Sequence, residues 1–412
     1  MSKNKICYNR VVKRAYEALI EDHFATNRQM AFLSGPRQVG KTTLAAALLP
    51  RARYYNYDRP ADALKFGSGP DRVAEDIGLD IPARIGDGVI FDEIHKFSGW
   101  KRFLKGFFDV YGKGLRVAVT GSARLNVYKR GGDSLMGRYF SYRVHPLSVG
   151  EVAGGAVDVE RPYRKPSQIG RKDVEALLRF GGFPEPFLSG SERFYNRWRN
   201  ARRDLVFHED LRDLSRVQDI RGIRALSDLL AARVTGGINY SGLASDLQVT
   251  SDTVKSWIGL LESVYEVYTI RPWYRNVANS IRKQPRAYFW DWSTVKSGGM
   301  RNENFIASHL LKSVHWWTDS GLGDFELHYV RDKLQREVDF LVSKDSEPYM
   351  LVECKSSLDE PLSPALEHFR KTLNVPYAFQ VAVEADPDGV DPFEYENRSI
   401  RLSAADLLSV LI

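Results

Sequence analysis

The amino-acid sequence predicts an α/β protein whose first third is a parallel sheet covered by helices on both faces. Three observations predict it. Apolar strand-like runs at 30–34, 54–57, 89–92, 116–120 and 141–144 alternate with stretches of helical periodicity. Strands that alternate with helices pair in parallel, the helices crossing over each face. A glycine-rich loop stands between the first run and the first helical stretch, and residues 286–412 return to mixed helix and strand.

The loop is Gly35-Pro36-Arg37-Gln38-Val39-Gly40-Lys41-Thr42, followed by Thr43. It matches GxxxxGK[ST] in the strand–loop–helix context that pattern requires. Its glycines let backbone N–H groups turn inward around phosphates, and the helix start adds partial positive charge. Lys41 would reach the β- and γ-phosphates, and the Thr42 hydroxyl would face magnesium. Arg37 and Gln38 lie within the loop with no role that the residues themselves disclose. The ligand is read as ATP with Mg2+, because residues 1–150 contain no Asn-Lys-x-Asp guanine-reading motif.

The run 89–92 ends in Asp92 and Glu93. Asp92 would hold magnesium, and Glu93 would orient or deprotonate the attacking water. The run 116–120 ends in hydroxyls, Thr120 first and Ser122 second as contacts to the γ-phosphate or water, unless both are turn residues. Arg138 either stabilises transferred phosphoryl charge, in cis or from a neighbouring subunit, or is a solvated surface arginine.

Residues 154–170 read as a connection, and 173–233 as arginine-rich helix whose arginines form either a nucleic-acid face or, because Asp204, Glu209, Asp210, Asp213 and Asp219 interleave with them, an ion-paired helix. Residues 240–247 and 251 onward predict helix, turn, helix, with Ser251 as N-cap and 264–270 as a wing. The second helix exposes Ser251, Asp252, Thr253, Lys255 and Ser256, one base and one acid. That is thin for a reader of DNA phosphates. Arg271, Arg275, Arg282, Lys283 and Arg286 beyond it are more basic.

Residues 336–342 and 349–355 predict a hairpin. Alternation puts Glu353 and Lys355 on one face and Cys354 on the other, toward the core. Asp339 on one strand and Glu353-x-Lys355 on its partner form the PD-(D/E)xK pattern. Asp339 and Glu353 would bind Mg2+, and Lys355 would orient water or stabilise the transition state. Glu303 falls on an inward helical stripe with Ile306 and Leu310, and an inward acid wants a partner such as a metal. A plain salt-bridged hairpin is the alternative.

The 412 residues carry a net charge of +7 and a pI near 9.1, with 43% hydrophobic and 27% charged residues. Such a balance fits a globular protein and leans toward an anionic partner such as DNA. No apolar run nears the ~20 residues of a membrane helix, and no secretion signal is read at the start. The two cysteines are too few for a disulfide framework and fit a cytoplasmic setting. Three domains are expected: 1–153, 171–275 and 284–412.

The ordered set resembles the bacterial and archaeal AAA+-type ATPases that end in a restriction-endonuclease-like domain of unknown function. Carrying the resemblance are the segments 35–43, 91–96, 119–122, 145–148, 181–184, 286–291, 303–305, 337–339 and 353–355. It implies an AAA+-like P-loop domain, a helical segment with a winged helix, and a nuclease-like C-terminal domain. Two functions follow. One is an ATPase coupled to DNA binding or processing. The other is an ATP-driven switch, without nuclease activity, that docks a protein, DNA or a second copy of the chain. A small-substrate kinase is disfavoured by Glu93 beside Asp92 and by the three-domain length.

Overall fold

Residues Met30–Ser34 are buried at every position, which requires a strand covered on both faces. In the computed structural model this strand, β1, is near the centre of a five-stranded sheet with β2 (Arg53–Asn56), β3 (Val89–Asp92), β4 (Val117–Thr120) and β5 (Tyr139–Arg143). The structure describes residues 12–79, 88–121, 135–214, 219–274, 284–296 and 298–412. Ser122, Arg275, Arg282 and Lys283 lie outside them. The chain forms two compact units, Arg14–His145 and one that includes Pro146–Ile412.

The first sheet is parallel throughout, in the order β2-β3-β4-β1-β5. All five expected strands are present, β1 and β3 with the expected ends and the other three with one or both ends displaced by one or two residues. One strand, β4, is inserted between β1 and β3. Helix α1 (Ala15–Thr26), helix α2 (Lys41–Leu48) and helix α3 (Trp100–Tyr111) belong to this unit. Helix α3 buries Trp100, Phe103, Leu104, Phe107 and Phe108 at helical spacing, and Phe91 of β3 meets Phe103 and Phe107 edge to face.

The second unit starts helical, with α4 (Glu192–Leu205) running into one π-helical turn at Val206–Asp210, then α5 (Ile220–Ala231), α6 (Tyr240–Leu247) and α7 (Ser251–Ser263). The N-cap of α7 is Thr250, not Ser251: the Thr250 hydroxyl accepts the Thr253 N–H at 3.1 Å. A seven-stranded mixed sheet follows, in the order β12-β11-β10-β9-β8-β6-β7. Its strands are β6 (Val267–Pro272), β7 (Arg286–Phe289), β8 (Phe325–Arg331), β9 (Glu337–Lys344), β10 (Glu347–Lys355), β11 (Tyr377–Ala382) and β12 (Arg398–Ser403). The strand expected as a wing, β6, pairs with β7 on one side and β8 on the other, so it is part of this sheet. Its mostly buried side chains explain why.

Helix α8 (Gly298–Asp319) is buried along most of its length. Asn304 ties it to β7, accepting the Phe289 N–H and donating to the Phe289 carbonyl at 2.8 Å each. Lys312 of α8 donates to Glu151 and to the Ser148 hydroxyl in a buried ion pair. Helix α9 (Pro364–Leu373) packs Leu366 and Phe369 against Val338, Leu341 and Leu351. Among the described residues no helix is long and apolar enough to cross a membrane.

Candidate functional site: a phosphate loop and a carboxylate–lysine cluster

Parallel strands carry ligand-binding residues at their carboxyl ends. Here β1 delivers the loop, β3 delivers Asp92, and β4 delivers Thr120. Gly35 has φ +148°, and a Cβ there would stand 2.3 Å from the Val144 carbonyl oxygen, so only glycine fits. Gly40 adopts the left-handed conformation at the start of α2. Lys41 Nζ lies in the loop, donating to the carbonyls of Gly35 (2.9 Å) and Pro36 (2.8 Å). Val39 is buried, Gln38 is exposed with φ 62°, and Thr42 and Thr43 are exposed.

Asp92 is the hub. Its carboxylate accepts from Thr42 Oγ1 at 3.1 Å, from Thr120 Oγ1, from Tyr54 OH at 2.6 Å and from Asn56 Nδ2 at 3.4 Å. The register Asn56↔Asp92↔Thr120 across β2, β3 and β4 brings these groups together. Burial and the bond to Asp92 push the Tyr54 phenol up to about 12. Glu93 sits at φ 54°, with Lys96 at 3.3 Å and His95 at 3.6 Å. Burial raises its carboxyl pKa, and the Lys96 charge beside its Oε2 opposes that rise. A buried carboxylate with a raised pKa suits a group that must take a proton from water. The hydroxyl and carboxylate oxygens of Thr42 and Asp92 are hard donors of the kind Mg2+ prefers.

Tyr54, Asn56 and Arg14 were not anticipated. Arg14 donates to the carbonyls of Val39 (2.8 Å) and His145 (2.5 Å), tying the loop to the end of β5. Tyr54 and Asn56 reach Asp92 through the pairing of β2 with β3, and Arg14 reaches the loop from the start of α1, neither of which a lone sequence discloses.

Arg138 is not brought to the loop. It precedes β5, which runs parallel to β1, and its carbonyl accepts the Met30 N–H at 2.9 Å. It is therefore at the amino edge of the sheet, roughly 13 Å of strand from the loop, with its guanidinium on Asp109 at 2.7 and 2.9 Å. A cis role is corrected by this placement.

The second cluster is built by the β9–β10 hairpin, where Phe340 faces Val352. Asp339 Oδ2 accepts the Cys354 N–H at 2.9 Å, and Lys355 Nζ donates to Glu353 Oε1 at 2.9 Å. Glu353 Oε2 is buried without a hydrogen bond. Glu303 points inward as expected, accepting from Tyr288 OH at 2.9 Å with Arg286 at 3.9 Å. Arg286 also pairs with Glu337. Burial raises the carboxyl pKa values of Glu303, Asp339 and Glu353, and the Asp339 charge raises the two glutamates further. Cys354 is half-buried rather than fully enclosed, and burial pushes its thiol up, so it is no thiolate nucleophile.

Among the described residues no three Asp, Glu, His or Cys side chains stand close enough to cage a metal. The oxygens of Asp339 and Glu353 nonetheless fit Mg2+ or Mn2+, which commonly bind through one or two carboxylates with water and substrate phosphate completing the shell. The orphaned Glu353 Oε2 is the oxygen such an ion would satisfy. On α7, the one base, Lys255, is ion-paired with Asp252 at 3.0 Å.

Residues 171–298 and 298–387 match two domains of unknown function, DUF8612 and DUF4143. An uncharacterized protein of Mycobacterium tuberculosis is 24% identical over 336 residues, covering 78% of this chain and 69% of its own length. One of Methanocaldococcus jannaschii is 22% identical, covering 66% of this chain and 62% of its own length. Among solved structures, a Walker-type ATPase of Pyrococcus abyssi is 16% identical with a TM-score of 0.44, over 71% of this chain and 96% of that one. The Aeropyrum pernix ORC1 protein in complex with DNA is 12% identical with a TM-score of 0.32, over 75% and 96%. Both structural likenesses are loose, and no role is taken from them. Residues 27–153 match the family described as an AAA domain, and the inserted-strand parallel sheet and the loop geometry make this unit a P-loop domain of the kind that holds a nucleotide.

Proposed function

We propose that the protein is a Mg2+-dependent ATPase coupled to a metal-dependent site, in its C-terminal sheet, that acts on DNA phosphodiesters. In the ATPase unit Lys41 and the loop amides of residues 35–43 hold the phosphates, Thr42 and Asp92 bind the ion, Glu93 takes the water proton, and Thr120 positions Asp92. A bound Mg2+ neutralises developing phosphate charge. Arg138, turned away from its own loop, would act only in trans, in a homo-oligomer. A cytoplasmic setting accords with two cysteines in 412 residues.

The observation that carries the coupled function is the set of desolvated acids Glu303, Asp339 and Glu353 beside Lys355. Like charges held together in a poorly solvated place are stabilised by a divalent cation. Asp339 and Glu353 would be its ligands, Glu303 would complete the acidic rim through water, and Lys355 would orient the attacking water. Residues 284–412, with β6 as a further strand of their sheet, are read accordingly as a PD-(D/E)xK nuclease-like domain, and the residues from 171 to the end of α7 as a helical segment whose helix-turn-helix has no free wing.

The test is cleavage of duplex and single-stranded DNA by the full chain with Mg2+ or Mn2+, with and without ATP, beside Lys355→Ala. Cleavage by the parent and not by the variant supports the proposal. Equal cleavage by both refutes the site. The ion pair that occupies Lys255 favours the second reading, an ATP-driven switch that docks a protein. Intact ATP hydrolysis with no cleavage of any substrate selects it.

A further inference from the structure

A cavity of about 600 Å³ opens between α4, α5, the residue before β6 and the start of α8. It belongs neither to the phosphate loop nor to the carboxylate–lysine cluster. Four cations line it: Arg199, Arg202 and Arg203 on consecutive turns of α4, and Lys296. Two acids line it with them, Asp228 and Glu266. Asp291 is also within the field of Arg202 and, less strongly, of Arg199, so positive charge is in excess even when that third acid is counted.

The deep end is unusual. Arg202 is only 5% exposed, its Nε makes no hydrogen bond, and its nearest carboxylate, Glu266, is 3.6 Å away. The guanidinium lies 4.4 Å over the Phe183 ring, which fixes its plane. A buried guanidinium with an unsatisfied N–H is costly unless something accepts from it. Ser227, bonded to Glu266 at 3.3 Å, supplies a further hydroxyl. Phe289 and Met300 give the cavity an apolar wall. The π-helical turn at Val206–Asp210 follows α4 at once, and such turns recur at functional sites. Arg203 is held by Asp228, whereas among the described residues no carboxylate is within ion-pair distance of Arg199 or Lys296.

We propose that this cavity binds a phosphomonoester of mononucleotide size, its phosphate taken by Arg199 and Lys296 at the mouth and its organic part seated against Phe289 and Met300 above Arg202. The volume is too large for phosphate alone and falls in the range of small-molecule pockets. Arginine forks suit phosphate oxygens. The cavity is bounded on several sides, which favours a free small molecule over a nucleic-acid strand.

The test uses the full chain saturated with Mg-ADP, so that the phosphate loop is filled, titrated calorimetrically with AMP, GMP, CMP and UMP. At least one is expected to bind, and to bind about tenfold or more weakly in Arg199→Glu/Lys296→Glu, with ATP hydrolysis unchanged. Met300→Trp, which narrows the cavity without altering its charge, is expected to lose the same ligand. Absence of binding by all four at millimolar concentration overturns the proposal. So does binding that survives the charge reversal, or binding of a single-stranded oligonucleotide without any mononucleotide.

Discussion

Asp92 and Glu353 are almost equally buried, at 5% and 7% exposure, and both end an apolar stretch of strand. Their surroundings differ. Asp92 accepts from Thr42, Thr120, Tyr54 and Asn56, whereas Glu353 accepts from Lys355 and leaves one oxygen buried and unbonded. Donors aimed at a carboxylate stabilise its charge, and burial without them opposes it. The phosphate-loop acid thus has its charge supported by the protein itself. The C-terminal acids hold theirs at an expense that a cation would offset. Similar burial therefore does not mean similar chemistry; the donor count decides.

The largest effect that would sharpen this contrast is in the ATPase unit. Glu93→Gln keeps the shape of the site and removes the proposed proton acceptor, so kcat for ATP hydrolysis should fall by about 10²–10⁴ with ATP affinity retained. Steady-state hydrolysis beside nucleotide binding checks it, and an unchanged kcat would remove Glu93 from the mechanism.

Next is a buried acid that does have a dedicated cation. Glu151 and Lys312 are 3% and 1% exposed and paired. Lys312→Met removes that cation and leaves the carboxylate with the Ser148 N–H, and should lower unfolding free energy by roughly 3–5 kcal/mol, read by urea titration. A loss under 1 kcal/mol would show that an unpaired buried acid is tolerated here, and would weaken the case drawn from Glu353.

His309, one turn earlier on α8, is a buried base in the field of the Glu151–Lys312 pair. Its Nε2 accepts the Val149 N–H at 3.0 Å and its Nδ1 faces the Phe305 carbonyl at 2.7 Å, which fixes the neutral Nδ1–H form. Burial lowers its pKa to about 3 from 6.5. The unfolded chain therefore binds more protons between those values, and stability falls as pH drops below 6.5. At pH 5 the loss should be about 2 kcal/mol, and His309→Asn should flatten that part of the profile.

The smallest effect has the opposite sign. Glu353→Gln removes a charge that burial disfavours, so in the presence of a chelator it should stabilise the fold by roughly 1–2 kcal/mol while abolishing stabilisation by Mn2+. Destabilisation in the chelator would mean that Lys355 already compensates the charge.

Much of this was legible in the residues. The five strands of the first sheet, the loop and its lysine, and Asp92 with Glu93 follow from local pattern, because each depends on neighbours in sequence. The hairpin that joins Asp339 to Glu353 and Lys355 follows from alternation over a short turn. What depends on strand order was not legible. Tyr54 and Asn56 reach Asp92 only because β2 lies beside β3. Arg138 misses the loop because β5 runs parallel to β1. The strand expected as a free wing joins a larger sheet because β8, some fifty residues on, pairs with it.

The measurement that tests the contrast most directly is Mn2+ binding to the full chain by electron paramagnetic resonance, without nucleotide and then with ATP. One ion per chain is predicted without nucleotide, lost in Glu353→Gln, and a second with ATP, lost in Asp92→Asn. A parent protein that binds no ion until ATP is added would contradict the account, leaving the C-terminal acids without the cation their burial calls for.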